Sequence, residues 1–275
     1  MIPQRNISVL SNRLAVAGRR IREDVLERDY CLAWFLCALA QSDLRELLAF
    51  KGGTALKRCY FPEYRFSEDL DFTLLSTTTF EDIQKRLESV YAAVKEGSGI
   101  SFAFDRKDTN SHTNSHTFYL KYTGPLPSSN DVKVDITIRE DIAFPLHDRA
   151  ILRGYDEFSD IPEGRLLRVY SLEEITAEKV MALANRARNE PRDLYDLWYL
   201  TTEAGMAISS VADAIGEKLA FRKKPFEGLE TAIAEKEARL KSLWLKRLAY
   251  QMIDLPEFDA VFRSVRRSIR QAKLP

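Results

Sequence analysis

The sequence predicts an α+β chain, and three observations predict it. Short segments of strand character fall at residues 47–51, 69–74, 100–104, 116–122 and 132–138, with one more at residues 168–170. Segments of helical periodicity separate or precede them, and from Ile208 to the end everything reads helical. The 275 residues are 45% hydrophobic and 30% charged, enough to bury a substantial core as one large domain or two small ones. A loop-rich stretch over residues 141–168, with Pro145, Gly154, Pro162 and Gly164, is the expected boundary. It divides a first domain, residues 1–165, from a helical second domain, residues 166–275.

Charge and cysteine content exclude several classes. Lys and Arg number 41, as do Asp and Glu, so any binding of nucleic acid requires a local basic patch. Cys31, Cys37 and Cys59 lack metal-like spacing and are expected as reduced thiols in a cytoplasm. The first residues do not resemble a secretory signal, and the longest apolar run, residues 31–40, is too short to span a membrane. A cytoplasmic protein with no membrane partner is expected.

Residues 9–48 read as a helix pair covering one face of a sheet. Residues 47–51 then form a short strand leading into Gly52 and Gly53. Ser76 to Thr79 cap a helix over residues 80–94, in which Ile83, Leu87, Val90 and Val94 recur at helical spacing, and Gly97 to Gly99 end it. Residues 100–104 and 116–122 read as strands around a polar turn at residues 110–115. His112 and His116 would make a metal pair only on a helix, and their surroundings are turn-like. Val132, Val134, Ile136 and Ile138 alternate with Lys133, Asp135 and Thr137, so Asp135 stands on the polar side of a strand.

Ser171 caps the next helix, with Glu174 three residues on as in a capping box. Lys179 falls among Leu172, Ile175 and Leu183 on the wheel of that helix. A lysine in an apolar arc either snorkels to solvent or aims inward to meet phosphate charge. Pro191 suits the first turn of the helix that follows. There, Asp193 could complement the helix dipole, and Arg192 with Asp196 could form a pair one turn apart. Residues 221–275 hold 13 Lys or Arg against 7 Asp or Glu, in clusters at 221–224 and 263–273 that read as solvated faces or as a track for an RNA backbone.

The chemistry concentrates in residues 51–72. Asp69 and Asp71 on one strand point to the same face, and two such carboxylates repel unless a cation joins them. Mg²⁺ suits them, since it takes one or two carboxylates and completes its shell with water and phosphate oxygens. Gly52 and Gly53 let the backbone approach an anion, and a helix beginning near Thr54 would aim free N–H groups at it. Lys57, Arg58 and Arg65 are near enough in sequence to add positive charge. A glycine pair alone marks an ordinary turn, and a lone Asp-x-Asp a solvated edge. In this order and spacing they point to phosphoryl or nucleotidyl transfer.

Gly52-Gly53-Thr54-Ala55-Leu56, followed by Arg65-Phe66-Ser67-Glu68-Asp69-Leu70-Asp71-Phe72, resembles the first motif of the AbiEii/AbiGii toxin family, nucleotidyltransferases of the DNA polymerase β-like superfamily. The superfamily's usual Gly-Ser is Gly52-Gly53 here, so a hydroxyl contact to phosphate would come from Thr54 or Ser67. The run from Ser171 through Lys179 to Leu183, then Arg192-Asp193-Leu194-Tyr195-Asp196-Leu197, resembles the family's second block. The family's functional lysine maps to Lys179 and its functional aspartate to Asp193, with Asp196 as the alternative match.

The resemblance implies a mixed-sheet nucleotidyltransferase core flanked by helices and followed by a helical C-terminal part. It implies Mg²⁺ on Asp69, Asp71 and, as the superfamily's third acidic residue, Asp135. It implies an NTP held by Gly52, Gly53, Thr54, Arg65, Ser67 and Lys179, with Asp69, Asp71, Lys179 and Asp193 catalytic. The implied acceptor is RNA, the 3′ end of tRNA, with arrest of translation in a type IV toxin–antitoxin and phage-defence system beside a cognate AbiEi-type antitoxin. A protein or small-molecule hydroxyl as acceptor is the alternative.

Overall fold

The structure, a computed structural model, describes residues 1–18, 20–109, 113–223 and 228–274. Of the sequence expectations, those on Asn110, Ser111, His112 and Lys224 lie outside the described residues. The chain divides into two compact units. One comprises Met1–Glu140, Leu146–Val169 and Gln251–Ile253, and the other Asp141–Pro145, Tyr170–Tyr250 and Asp254–Pro275.

In chain order the first unit runs α1 (Gln4–Ala17), α2 (Glu23–Leu39), α3 (Leu44–Leu47), β1 (Leu48–Lys51), α4 (Gly52–Ala55), β2 (Leu70–Leu74), α5 (Phe80–Ser98), β3 (Ser101–Lys107), β4 (Ser115–Thr123), β5 (Asn130–Thr137), β6 (His147–Ala150) and β7 (Leu166–Val169). The strands form one sheet in the order β3-β4-β5-β2-β1-β7-β6. The pairs β2–β5 and β1–β7 are parallel and the others antiparallel, so the sheet is mixed, as expected.

Alternation decides which face of the sheet is core. In β5, Val132, Val134 and Ile136 are buried while Lys133, Asp135 and Thr137 take the other face. Leu70, Phe72 and Leu74 do the same in β2, and the Phe72 ring sits 5.1 Å from that of Phe50. Against the apolar side lies α2, whose long apolar run is a buried core helix, with Phe35 meeting Phe102 of β3 at 5.2 Å. Thr79 caps α5 by accepting from the Asp82 N–H, and Gly99, at φ +79°, ends it. The helix runs four residues beyond Val94 to the buried Ser98, whose hydroxyl donates to the Val94 carbonyl at 2.7 Å. The segment at residues 141–168, expected as loop, contributes β6, a four-residue edge strand of polar residues paired with β7 and without an apolar pattern to betray it.

The second unit is helical: α6 (Leu172–Ala184), α7 (Pro191–Thr202), α8 (Ala212–Phe221), α9 (Leu229–Ala234), α10 (Glu237–Leu248) and α11 (Phe258–Ala272). Ser171 caps α6 by accepting from the Glu174 N–H at 3.2 Å. The other half of the capping box does not close. The buried Glu174 carboxylate accepts from the N–H groups of Ala143 and Phe144, each at 3.0 Å, and pairs with Lys218 at 2.6 Å. The stretch from Ile208 opens as a 3₁₀ turn, Ile208–Val211, before α8, and the run read as helical is interrupted between α9 and α10. Lys236, at that break, donates from Nζ to the main-chain carbonyls of Leu183, Asn185 and Arg188. Among the described residues, no helix is long and apolar enough to cross a membrane.

Candidate active site

The polar face of the sheet gathers the first set of residues. Strand register sets Lys51 of β1 opposite Asp71 of β2, Asp71 beside Asp135 of β5, and Asp135 opposite Thr117 of β4. One row across four strands thus reads Lys51, Asp71, Asp135, Thr117, with neighbouring strands about 4.8 Å apart. The next row on the same face holds Thr73, Thr137 and Ser115. Thr117 Oγ1 donates to Asp135 Oδ2 at 3.1 Å and shares a hydrogen bond with Ser115 Oγ at 3.0 Å. Lys51 Nζ donates to Thr137 Oγ1 at 2.8 Å. Asp71 and Asp135 are both partly exposed, as a pair that must receive a ligand has to be.

Asp69 stands one residue ahead of β2, and its main-chain carbonyl accepts a short hydrogen bond from the Thr54 hydroxyl. The Thr54 side chain is therefore engaged in holding the turn to the start of β2. Of the two hydroxyls considered for phosphate, Ser67 is the one lying against Gly53. A Cβ built on Gly53 would come within 3.0 Å of Ser67 Oγ and 2.7 Å of Arg65 Nη2. Gly52 has φ +80°, and a Cβ there would overlap the Asp71 carboxylate. The turn needs glycine at both positions because the aspartate, arginine and serine of the second motif half crowd its backbone. Arg65 is held in place by Nη1, which donates to the Phe66 carbonyl at 3.2 Å and to Gln251 Oε1 at 3.1 Å.

Two expected cations lie elsewhere. Lys57 and Arg58 are buried in a π-helical turn, Leu56–Tyr60, and serve the fold. Lys57 Nζ donates to the carbonyls of Pro62 and Tyr64 at 2.9 and 3.1 Å and lies 4.4 Å over the Phe66 ring. Burial pushes its ammonium down to about 8. Arg58 pairs with Asp29 at 2.6 Å and donates to the carbonyls of Leu152 and Arg153. Both secure the loops that carry Arg65 and Tyr155, a role that alternation and charge count do not reveal.

In the second unit, Lys179 of α6 is 12% exposed and its Nζ sits between Asp193 Oδ1 at 3.0 Å and Asp196 Oδ2 at 2.7 Å, both on α7. Arg188, on the connection between the helices, also donates to both Asp193 oxygens. Burial alone would raise the Asp193 carboxyl, but Lys179 and Arg188 outweigh it and hold it below the usual range. Lys179 does not snorkel freely; it is clamped. Both Asp193 and Asp196 contact Lys179, and Asp193 also accepts from Arg188. The helix from Ser171 reads from the sequence as running to about Arg188, whereas α6 ends at Ala184 and Arg188 lies on the connection to α7.

The other sequence candidates are structural or exposed. His116 lies in β4 with its ring 5.4 Å from that of Phe80, and burial lowers its imidazole. On α11, Arg263, Arg267 and Arg270 are exposed, and Arg266 and Arg270 pair with Glu230.

Among the described residues, no three Asp, Glu, His or Cys side chains gather closely enough to hold an ion by themselves. Asp71 and Asp135, hard oxygen donors brought into register by adjacent parallel strands, instead suit an ion that takes two carboxylates and completes its shell from substrate oxygens.

Comparison with known proteins gives a family and a fold. The model of the family described as nucleotidyl transferase AbiEii toxin, type IV TA system, matches residues 34–264. No curated protein matches the chain. Among solved structures, MenT4, a nucleotidyltransferase toxin from Mycobacterium tuberculosis H37Rv, aligns with a TM-score of 0.63 over 96% of this chain and 88% of that one, at 20% identity. At that identity the likeness is one of fold.

Proposed function

We propose how the reaction is carried out by this chain, which belongs to the AbiEii nucleotidyltransferase toxin family of type IV toxin–antitoxin systems. The toxin transfers a nucleotide from an NTP to RNA, at the 3′ acceptor end of tRNA, and so arrests translation and growth. Asp71 and Asp135 would hold Mg²⁺, which would supply neutralisation of triphosphate charge and a lowered pKa at the acceptor hydroxyl. The backbone of Gly52 and Gly53, with Arg65 and Ser67, receives phosphate oxygens, and Thr54 fixes the turn through the Asp69 carbonyl. Pyrophosphate leaves as the acceptor oxygen bonds to the α-phosphorus, the acceptor proton passing to solvent or to a carboxylate. In the helical unit, Lys179 supplies a point charge for phosphate and Asp193 orients it.

The observation that carries this reading is the registration of Asp71 with Asp135, with the Asp71 carboxylate packed against Gly52. The cognate antitoxin implied by the family is of the AbiEi type, and the pair would serve phage defence in the cytoplasm. Incubation of the protein with labelled NTPs, Mg²⁺ and either total tRNA or total protein tests the assignment. Label in tRNA is expected. Label confined to protein or to small molecules would move the acceptor to the alternative class.

A further inference from the structure

Lys51 has no role in the mechanism above, yet its ammonium lies within the carboxylate patch. Lys51 is on β1 and its hydrogen-bond partner Thr137 is on β5, with β2 between them in the sheet. A side chain that spans from β1 to Thr137 at 2.8 Å must cross β2, on the face that bears Asp71. Thr137 in turn is two residues beyond Asp135 on the same face of β5. The ammonium is thus anchored at the edge of the Asp71–Asp135 pair by a hydroxyl of the strand that carries one of its members.

We propose that Lys51 is a positioning residue of the transfer site, a built-in monovalent cation that limits the carboxylate row to one weakly held divalent ion before nucleotide arrives. The inference rests on the reading of the row as the metal site. With Lys51 in place, one of the negative charges of Asp71 and Asp135 is already balanced, so a second divalent ion gains little from the protein alone. The second positive centre required to clamp a triphosphate then enters with the nucleotide. Without Lys51 the same carboxylates attract divalent cations more strongly and hold them where the row, and not the substrate, dictates.

Mn²⁺, which shares the oxygen preference of Mg²⁺, reports this directly. Free protein is titrated with Mn²⁺ and the unbound ion read by electron paramagnetic resonance, for wild type, Lys51→Met, Lys51→Arg and Asp71→Asn. Wild type is expected to bind one ion. Lys51→Met is expected to bind on the order of tenfold more tightly, since the nearby charge acts across a few ångströms of partly exposed protein, and to lose transfer activity despite fuller occupancy. Lys51→Arg is expected to restore the wild-type isotherm. Unfolding midpoints show that each variant is folded. If wild type binds Mn²⁺ and Lys51→Met binds it identically, the role of Lys51 is overturned while the metal site stands. If wild type binds none and Asp71→Asn is fully active, the reading of the site fails as well.

Discussion

Replacing Lys179 by methionine removes a cation that both Asp193 and Asp196 contact. Asp193 is 2% exposed and Asp196 fully buried, with Nζ at 3.0 and 2.7 Å from them. Arg188 still serves Asp193. Asp196 loses its 2.7 Å contact with Nζ, so the variant buries a carboxylate from which a close cation has been removed. Breaking a buried pair in this way costs about 3–5 kcal/mol. For a chain of this size that lowers the unfolding midpoint by on the order of 10 °C. Loss of toxicity in the single variant would therefore confound instability with chemistry. The double variant Lys179→Met/Asp196→Asn separates them, because the amide needs no counterion. Thermal unfolding of wild type, both single variants and the double closes a mutant cycle, with an expected coupling above about 1 kcal/mol. Transfer of labelled nucleotide is measured on the same proteins. The double variant is expected to regain most of the lost stability and none of the activity. A stable and fully active double variant would refute a chemical role for Lys179, and a single variant destabilised by less than about 1 kcal/mol would refute the buried clamp.

Three further outcomes follow from named contacts. Gly52→Ala places a Cβ at φ +80° against the Asp71 carboxylate, so a loss of about 1–2 kcal/mol in urea unfolding and a fall in transfer of at least about tenfold are expected; unchanged activity would mean that Asp71 does not need its place over the turn. Lys57, buried and brought down to about 8 from 10.5, binds fewer protons folded than unfolded between those values. Its share of stability therefore rises from pH 8 towards pH 10 and is lowest below pH 8. Lys57→Met is expected to lack that rise in a denaturant series, with the comparison kept below about pH 10 because burial raises Tyr122 and Tyr155, which act in the opposite sense. Lys218→Met leaves the buried Glu174 without its 2.6 Å partner, and a loss of about 3–5 kcal/mol is expected, largely recovered by adding Glu174→Gln. A loss under about 1 kcal/mol would show that Glu174 is carried protonated, in the direction that its burial already pushes it.

What was legible in the sequence followed from local rules. The alternation from Val132 to Ile138 gives β5 and puts Asp135 on the polar face; Thr79 and Ser171 announce α5 and α6; the glycine pair and the Arg65–Phe72 run mark the turn. What was hidden depends on pairing between distant strands or on burial. No spacing within one segment tells that Lys51 is registered with Asp71, or that its ammonium ends at Thr137. Lys57 and Arg58 look like ligands for an anion, since charge next to a glycine turn is visible while the carbonyls of Pro62, Tyr64, Leu152 and Arg153 that claim them are not. Glu174 reads as half of a capping box, yet Lys218, far away in sequence, and the Ala143 and Phe144 amides draw its carboxylate off. β6 has no apolar period because it is a polar edge strand.

The central claim is that Asp71 and Asp135 together carry nucleotide transfer. Label passing from an NTP mixture into purified tRNA, in the presence of Mg²⁺, by wild type, Asp71→Asn and Asp135→Asn, tests it most directly. Rapid labelling by wild type and a loss of at least about a hundredfold in each folded variant is predicted. Labelling by either variant at the wild-type rate would contradict the claim.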